Sequence, residues 1–348
     1  MGQKIGIAIV GAGRIGRVHA ENLAYQIPES KLIAVADPRV EAAGRLAADY
    51  HVPHVLDDSE ACMRLHGVDA VVICSSTDTH ASLIEAAARA GRHIFCEKPI
   101  ALDIPSIDRA LEAVDRAGVK VQVGFNRRFD PSFRRARDMV AEGRIGTPHI
   151  VRITSRDPQP PPIEYVKVSG GIFLDMAIHD FDMVRYLVGS EVRDVFAVGT
   201  VLVDERIGRA GDFDTAITTL RFSNGTLGTI DNSRQAVYGY DQRVEVFGSK
   251  GAVLVGNRTP DSAVLSDVNG VHAAMPLYFF VERYTESYLN EMRAFVHCIV
   301  NDKTPPVTGF DGRMPVVIGH AASRSCREGR PVALAEIEGS ESKKGTEQ

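Results

Sequence analysis

Three things are scarce in this sequence, and each absence narrows what the chain can be. It has no apolar run of membrane-spanning length, and its first residues enter a strand-like stretch with no signal-peptide pattern, so no membrane partner is expected. It has no cysteine framework: Cys62, Cys74, Cys96, Cys298 and Cys326 are odd in number and scattered, with no C-x-x-C pair. Cys74 and Cys96 sit inside apolar runs, where a thiol behaves as a small hydrophobe, so a reducing cytoplasmic compartment and no metal are expected. It also lacks an excess of positive charge. Lys and Arg number 40 against 45 Asp and Glu, a net charge of −5, which argues against a nucleic-acid partner. The one basic run, Arg127-Arg128 with Arg134, Arg135 and Arg137, reads as a solvated helix face, an ion-pair surface or a site for an anionic cofactor.

What is present describes a globular chain: 348 residues, 44% hydrophobic and 24% charged, long enough for two domains. Residues 4–10 form an apolar run of strand length that leads directly into Gly11-Ala12-Gly13-Arg14-Ile15-Gly16. A G-x-G-x-x-G alone is weak, but here a buried strand precedes it and a helix-like segment with Ile15, Val18 and Leu23 follows. Gly11 permits the tight turn, Gly13 lets backbone approach a pyrophosphate, and Gly16 lets helix and strand pack closely. The helix N-terminus offers its unpaired N–H groups to the phosphates.

A second strand-like run, 32–36, ends at Asp37, where an acid should grip the adenosine ribose hydroxyls of NAD. Arg39, two residues on, could receive a 2′-phosphate, so Asp37 disfavours NADP without closing it off. The alternation continues through a strand at 68–74, a loop at 75–80, a helix at 81–90 and a strand at 93–96. In open α/β sheets ligands bind at the carboxyl ends of strands, which makes Ser75, Thr77, His80, Glu97 and Lys98 cofactor-contact candidates. For Ser75, Thr77 and His80, capping the next helix is an equally good role. Lys98 stands at a strand end expected to face the nicotinamide, with Pro99 fixing the backbone after it. A helix over 103–117 and a strand over 120–125 complete the parallel sheet.

Beyond Phe129 the pattern changes to α+β: a basic amphipathic helix at 131–142, then extended runs around 149–154, 192–203, 215–222, 225–231, 243–247 and 252–255. Asn224-Gly225 and the turn ending at Gly251 suit antiparallel hairpins. The expected fold is α/β, an N-terminal Rossmann doubly wound parallel sheet plus a C-terminal α+β domain with a large, mostly antiparallel open sheet. The expected boundaries are 1–125 for NAD binding, 126–335 for substrate binding and oligomerisation, and 336–348 for a flexible polar tail. One sheet face needs a cover, and self-association is the economical one.

Within the second half, residues 169–185 read as one helix. Leu174, Ala177, Ile178, Phe181 and Val184 form its apolar stripe, while Asp175, His179 and Asp182 stack on another face. Taken alone, that is a helix with a solvated polar face; beside a dinucleotide site it becomes a candidate active-site wall.

Glu97-Lys98-Pro99, the glycine loop and Asp175-x-x-x-His179, in this order, resemble the glucose–fructose oxidoreductase/inositol dehydrogenase/rhizopine catabolism oxidoreductase family over nearly the whole chain, to about residue 330. Residues 124–130, Ser155-Arg156-Asp157-Pro158 and 170–182 look like its inositol 2-dehydrogenase branch in particular. The resemblance implies NAD as oxidant, a cyclic polyol or sugar such as myo-inositol as substrate, and a homotetramer formed through the open sheet. It implies catalytic roles for Lys98, Asp175 and His179 and substrate contacts for Arg127, Asp157 and Asp182. Ser155 falls near a position where some relatives carry histidine. A tyrosine of Tyr238-Gly239-Tyr240 should also reach the substrate; Tyr240 is our choice, although strand alternation puts both on one face. For alcohol oxidation the histidine pKa suits His179 as proton acceptor, with Lys98 stabilising the developing charge on the oxygen. The alternatives are scyllo- or chiro-inositol, an aldose, or a non-catalytic NAD(P)-binding regulator of the same fold.

Overall fold

The structure of the chain, a computed structural model, describes residues 4–342. The described residues divide into two compact units, 4–129 with 286–316, and 130–285 with 317–342.

The first unit begins with β1 (Ile5–Val10), α1 (Arg14–Tyr25), β2 (Ser30–Ala36), α2 (Val40–Tyr50), β3 (His54–Leu56) and α3 (Ser59–Met63). It continues with β4 (Ala70–Ile73), α4 (Thr77–Arg89), β5 (His93–Glu97), α5 (Ile104–Ala117) and β6 (Val121–Gly124). The six strands are all parallel in the order β3-β2-β1-β4-β5-β6, the doubly wound arrangement expected. β1 and β4 are covered on both faces, which is why they read as unbroken apolar runs rather than alternating ones. Local signals set the helix ends: Asp103 accepts the Ser106 N–H at 2.8 Å to start α5, and Gly118 at φ 65° ends it.

The second unit contains α6 (Pro131–Ala141), β7 (Pro148–Arg156), α7 (Ile163–Val166), α8 (Gly171–Asp175), α9 (Ile178–Val188) and β8 (Val192–Thr200). There follow α10 (Glu205–Arg209), β9 (Thr215–Phe222), β10 (Leu227–Ser233), β11 (Asp241–Gly248), β12 (Gly251–Val255), β13 (Val264–Asp267), β14 (Gly270–Ala273) and α11 (Phe280–Arg283). Its seven-stranded sheet runs β12-β11-β7-β10-β9-β8-β15, where β15 is Val332–Ala333. All its pairs are antiparallel except β7 with β10. The Asn224-Gly225 turn, with Gly225 at φ 90°, closes the β9–β10 hairpin. β9 alternates buried and exposed along its length, so one sheet face carries the core and the other is open. That open face exposes Val198, Ile217, Leu227, Phe247 and Leu254.

The chain re-enters the first unit along α12 (Thr285–Val300) and the first residues of α13 (Gly309–Glu328). The contiguous division expected at 125/126 therefore meets a discontinuous one. The cause is local: Met292, Phe295 and Val296 join the apolar core of the parallel sheet, and the Val123 N–H donates to the Val307 carbonyl at 3.1 Å. The tail expected from residue 336 is helical as far as α14 (Leu334–Ser342); residues 343–348 of that expectation lie outside the described residues.

Candidate active site

In the first unit the glycine loop links β1 to α1. Gly11 stands at φ 101°, and a Cβ there would meet the Cys74 carbonyl oxygen at 2.5 Å. A Cβ at Gly16 would lie 2.0 Å from the Gly11 carbonyl oxygen, so helix and loop touch backbone to backbone. At Gly13 a Cβ would meet nothing within 4 Å. Gly13 caps α1 with no side-chain bond to the first N–H groups, and Arg14 and Ile15 supply the first two residues of the helix. The open space at Gly13, beside a helix start with uncapped donors, fits a pyrophosphate.

Asp37, 6% exposed, sits against this loop. Its Oδ2 accepts the Ala12 N–H at 2.8 Å, and its Oδ1 accepts the Arg39 N–H at 2.8 Å, with the Arg39 guanidinium at 3.4 Å. Burial works to raise the Asp37 pKa, and these donors outweigh it, holding the carboxyl below its ordinary range. The carboxylate is thus fixed against the loop, while the Arg39 side chain is largely exposed.

At the other strand ends, Ser75 Oγ bonds Thr79 Oγ1 at 2.6 Å, and Thr77 opens α4. His80 is buried, with Nδ1 2.8 Å from the Pro99 carbonyl and Nε2 3.1 Å from the Ser75 carbonyl. It ties the loop after β4 to the loop after β5, a strut that spacing alone does not reveal. Glu97 ends β5 and makes a 2.7 Å bond to His19 of α1. Lys98 follows, half-buried, and its peptide bond to Pro99 is cis. Arg127 lies in a single 3₁₀ turn, Asn126–Phe129, and is buried.

In the second unit the helix expected over 169–185 is two helices. α8 ends at Asp175 and α9 begins at Ile178, with the Met176 and Ala177 N–H groups both directed to the Ile172 carbonyl. Gly170 and Gly171, at φ 85° and 80°, delay the start, and Asp212 Oδ1 accepts the Ile172 N–H at 2.9 Å. Leu174, Ala177, Ile178, Phe181 and Val184 are all buried, as the stripe requires. On the polar side Asp175 and His179 are half-buried, and two further acids are buried outright. Asp180 is fully buried and accepts from Asn232 Nδ2 at 2.8 Å, and Asp182, also buried, lies 3.9 Å from Arg185.

Asp175 is the centre of a cluster that sequence reasoning missed in part. Its Oδ1 accepts the Tyr165 hydroxyl at 2.7 Å, and its Oδ2 accepts Arg234 Nη1 at 2.8 Å. The Arg234 side chain is only 2% exposed and also lies 3.7 Å from Asp212. Asp157, held through its backbone by Ser233 and Ala236, acts electrostatically on both Arg234 and Tyr165. Burial, and then the Asp175 carboxylate, push the Tyr165 phenol well up. Burial also raises the Asp212 carboxyl, against the N–H groups of Ile172 and Phe213. His179 is half-buried in the first turn of α9. Tyr165 comes from a four-residue helix and Arg234 from the residue just past β10, so no periodicity connects either to Asp175.

Tyr238 and Tyr240 part company. Both lie outside any strand, and Gly239 at φ 120° reverses the backbone between them, so alternation does not apply. The Tyr238 hydroxyl donates to Asp241 Oδ2 at 2.5 Å, whereas Tyr240 is buried edge-on against Tyr284, 6.0 Å between ring centres. Ser155 is buried and paired with Gln242.

A glycine turn between strand and helix, open at Gly13, with a buried acid bonded to it, is the arrangement of a dinucleotide-binding unit. Residues 5–125 match the oxidoreductase family with NAD-binding Rossmann fold, and residues 133–254 match the GFO/IDH/MocA C-terminal domain. The chain belongs to the GFO/IDH/MocA oxidoreductase family. It is 50% identical to a myo-inositol 2-dehydrogenase of Thermotoga maritima, covering 96% of this chain and 99% of that one. It is 46% identical to an inositol 2-dehydrogenase of Rhizobium meliloti, covering 94% and 98%. Among solved structures it is similar to scyllo-inositol dehydrogenase from Lactobacillus casei with bound NAD(H) and scyllo-inositol, at a TM-score of 0.90 and 31% identity over 96% of this chain and 100% of that one.

Proposed function

We propose that this enzyme oxidises a ring hydroxyl of myo-inositol to the 2-keto product with NAD. The observation that carries the mechanism is the double engagement of Asp175 by Tyr165 and Arg234. A carboxylate with both oxygens held by donors serves as an orienting group. His179, half-buried four residues on, is then the base.

In this reading bound NAD supplies the hydride acceptor. Gly11, Gly13, Arg14, Ile15 and Gly16 seat the pyrophosphate, Asp37 takes the ribose hydroxyls, and Ser75, Thr77, His80, Glu97 and Lys98 shape the nicotinamide end. His179 removes the hydroxyl proton. Lys98 donates to the same oxygen and stabilises the charge that develops on it, an effect worth about 3–4 kcal/mol. Asp175 keeps the histidine or a neighbouring hydroxyl in register. Arg127, Asp157, Asp182 and Tyr240 contact the remaining hydroxyls, since a polyol is recognised by many directional polar groups. The open apolar face of the seven-stranded sheet supports self-association as a homotetramer. The five free cysteines support a reducing cytoplasmic setting, and no described helix is long and apolar enough to cross a membrane.

The test is a panel of myo-, scyllo- and chiro-inositol and aldoses with NAD and with NADP, read by the absorbance of the reduced cofactor. Fastest NAD reduction with myo-inositol is the expected result. Preference for scyllo-inositol, the ligand of the Lactobacillus casei relative, would move the substrate within the class. No reduction with any polyol would favour a regulator.

A further inference from the structure

The first unit buries an acid that the proposed chemistry does not use. Glu291 of α12 is fully enclosed, and neither of its carboxyl oxygens has a hydrogen-bond partner. Gln122 of β6 reaches only its backbone carbonyl, at 2.9 Å. Its Oε1 lies 3.9 Å from Nε2 of His19, a fully buried residue of α1, and that same nitrogen is 2.7 Å from Glu97 Oε1. The His19 ring is wedged edge-on between Phe95 and Tyr288, with centroids at 5.1 and 5.8 Å. Glu97 lies close against the backbone of β6, where a Cβ at Gly124 would meet its Oε2 at 3.0 Å. The residue after Glu97 is Lys98.

One atom from each of His19, Glu97 and Glu291 falls within a span of 4.8 Å, the only such group among the described residues with metal-ligand chemistry. Two ionised carboxylates at that separation, one of them sealed from water and the other 15% exposed, are unfavourable, and either a proton or a cation offsets the buried one. The 2.7 Å bond between His19 Nε2 and Glu97 already uses the nitrogen that a metal would need, which favours the proton. Glu291 is the more enclosed of the two acids, and burial, followed by the proximity of Glu97, pushes its pKa well up. The other titratable group in its field is the buried Cys74 thiol.

We propose that Glu291 stands as a neutral carboxylic acid beside His19, and that His19, bonded to Glu97, acts as a positioning residue for the strand end that delivers Lys98. The link to Lys98 rests on the function proposed above; the protonation of Glu291 does not. A group whose folded-state pKa is raised above its unfolded value, about 4.3 for glutamate, loses its stabilising contribution as pH rises from that value. The isosteric Glu291→Gln variant lacks this slope.

The decisive experiment is thermal unfolding of wild type and Glu291→Gln across roughly pH 5 to 9. The variant is expected to gain on wild type as pH rises and to melt at or above it at the alkaline end. A deficit of the variant that stays constant or widens toward alkaline pH would overturn the proposal. So would a rise in wild-type melting temperature on adding zinc or manganese that Glu291→Gln does not share, because that result assigns the cluster to a cation. For positioning, His19→Leu is expected to lower kcat roughly tenfold, as expected for loss of the 2.7 Å contact to Glu97, with NADH affinity little changed. His19→Gln, which keeps an N–H for Glu97, is expected to restore part of it. Unchanged kcat in His19→Leu, or equal losses in His19→Leu and His19→Gln, would overturn the positioning role. If wild type reduces NAD with no polyol, the functional reading fails while the unfolding experiment still decides the state of Glu291.

Discussion

Replacing Arg234 with methionine removes the one guanidinium that the Asp175 cluster is built around. The side chain is 2% exposed, donates to Asp175 at 2.8 Å and lies 3.7 Å from Asp212, whose carboxyls are themselves only about a tenth exposed. Methionine fills a similar volume, so the packing loss is small and the electrostatic loss dominates. Removing one partner of a buried ion pair costs about 3–5 kcal/mol, because the other charge stays buried without compensation. Asp212 already has a raised pKa through burial, so part of the loss is relieved by proton uptake, and the lower end, about 3 kcal/mol, is expected. At roughly 2–4 °C per kcal/mol for a unit of this size, Arg234→Met should melt about 6–12 °C below wild type by circular dichroism. Without the guanidinium, which works to lower it, the native Asp212 carboxyl binds a proton more readily, so the deficit should shrink as pH falls toward about 4. Arg234→Lys keeps the charge but not the planar fork and should recover only part. A melting temperature within about 2 °C of wild type, or a deficit independent of pH, would refute the electrostatic argument.

Other outcomes follow from the same geometry. Gly13→Ala should keep the wild-type melting temperature and lose NADH binding in a fluorescence titration, since its Cβ enters open space that the proposed function gives to the pyrophosphate. Gly16→Ala should lose both, because its Cβ would stand 2.0 Å from the Gly11 carbonyl. Tyr165→Phe should lower kcat/KM roughly five- to tenfold through loss of one 2.7 Å bond to Asp175, with little effect on melting. Burial tends to raise the Asp214 pKa, but the N–H groups of Leu202, Asp204 and Val203 and the Thr215 hydroxyl hold it below the ordinary range. Its stabilisation is present above about pH 3.9 and is lost as pH falls through the lower folded value. Asp214→Asn should therefore be less stable than wild type at neutral pH, with the gap closing in acid.

The first unit was legible because its signals are local. A glycine loop between a strand and a helix, with Asp37 ending the next strand, places the dinucleotide site within one β-α-β stretch. The return of α12 to that unit was not legible, because an amphipathic helix does not state which sheet it covers. Asp175 and His179 were visible as a pair, but the break between α8 and α9 was not, since the apolar stripe runs through it unbroken. Tyr165 and Arg234 sit 10 and 59 residues from Asp175, on elements set by tertiary packing, and carry no spacing signal. His19 and Glu291 were hidden for the opposite reason. Each lies inside a helix whose pattern calls only for burial, and only the fold brings them to Glu97.

The central claim is hydride transfer from an inositol ring carbon to the nicotinamide, with His179 and Lys98 serving the hydroxyl. Its most direct test is turnover of myo-inositol deuterated at C2 with NAD, followed by mass analysis of the reduced cofactor, for wild type, His179→Ala and Lys98→Met. Deuterium on the wild-type cofactor, with transfer slowed about 10²–10³-fold in variants that still bind NADH, is the expected result. Unlabelled reduced cofactor, or near-normal transfer in either variant, would contradict the account.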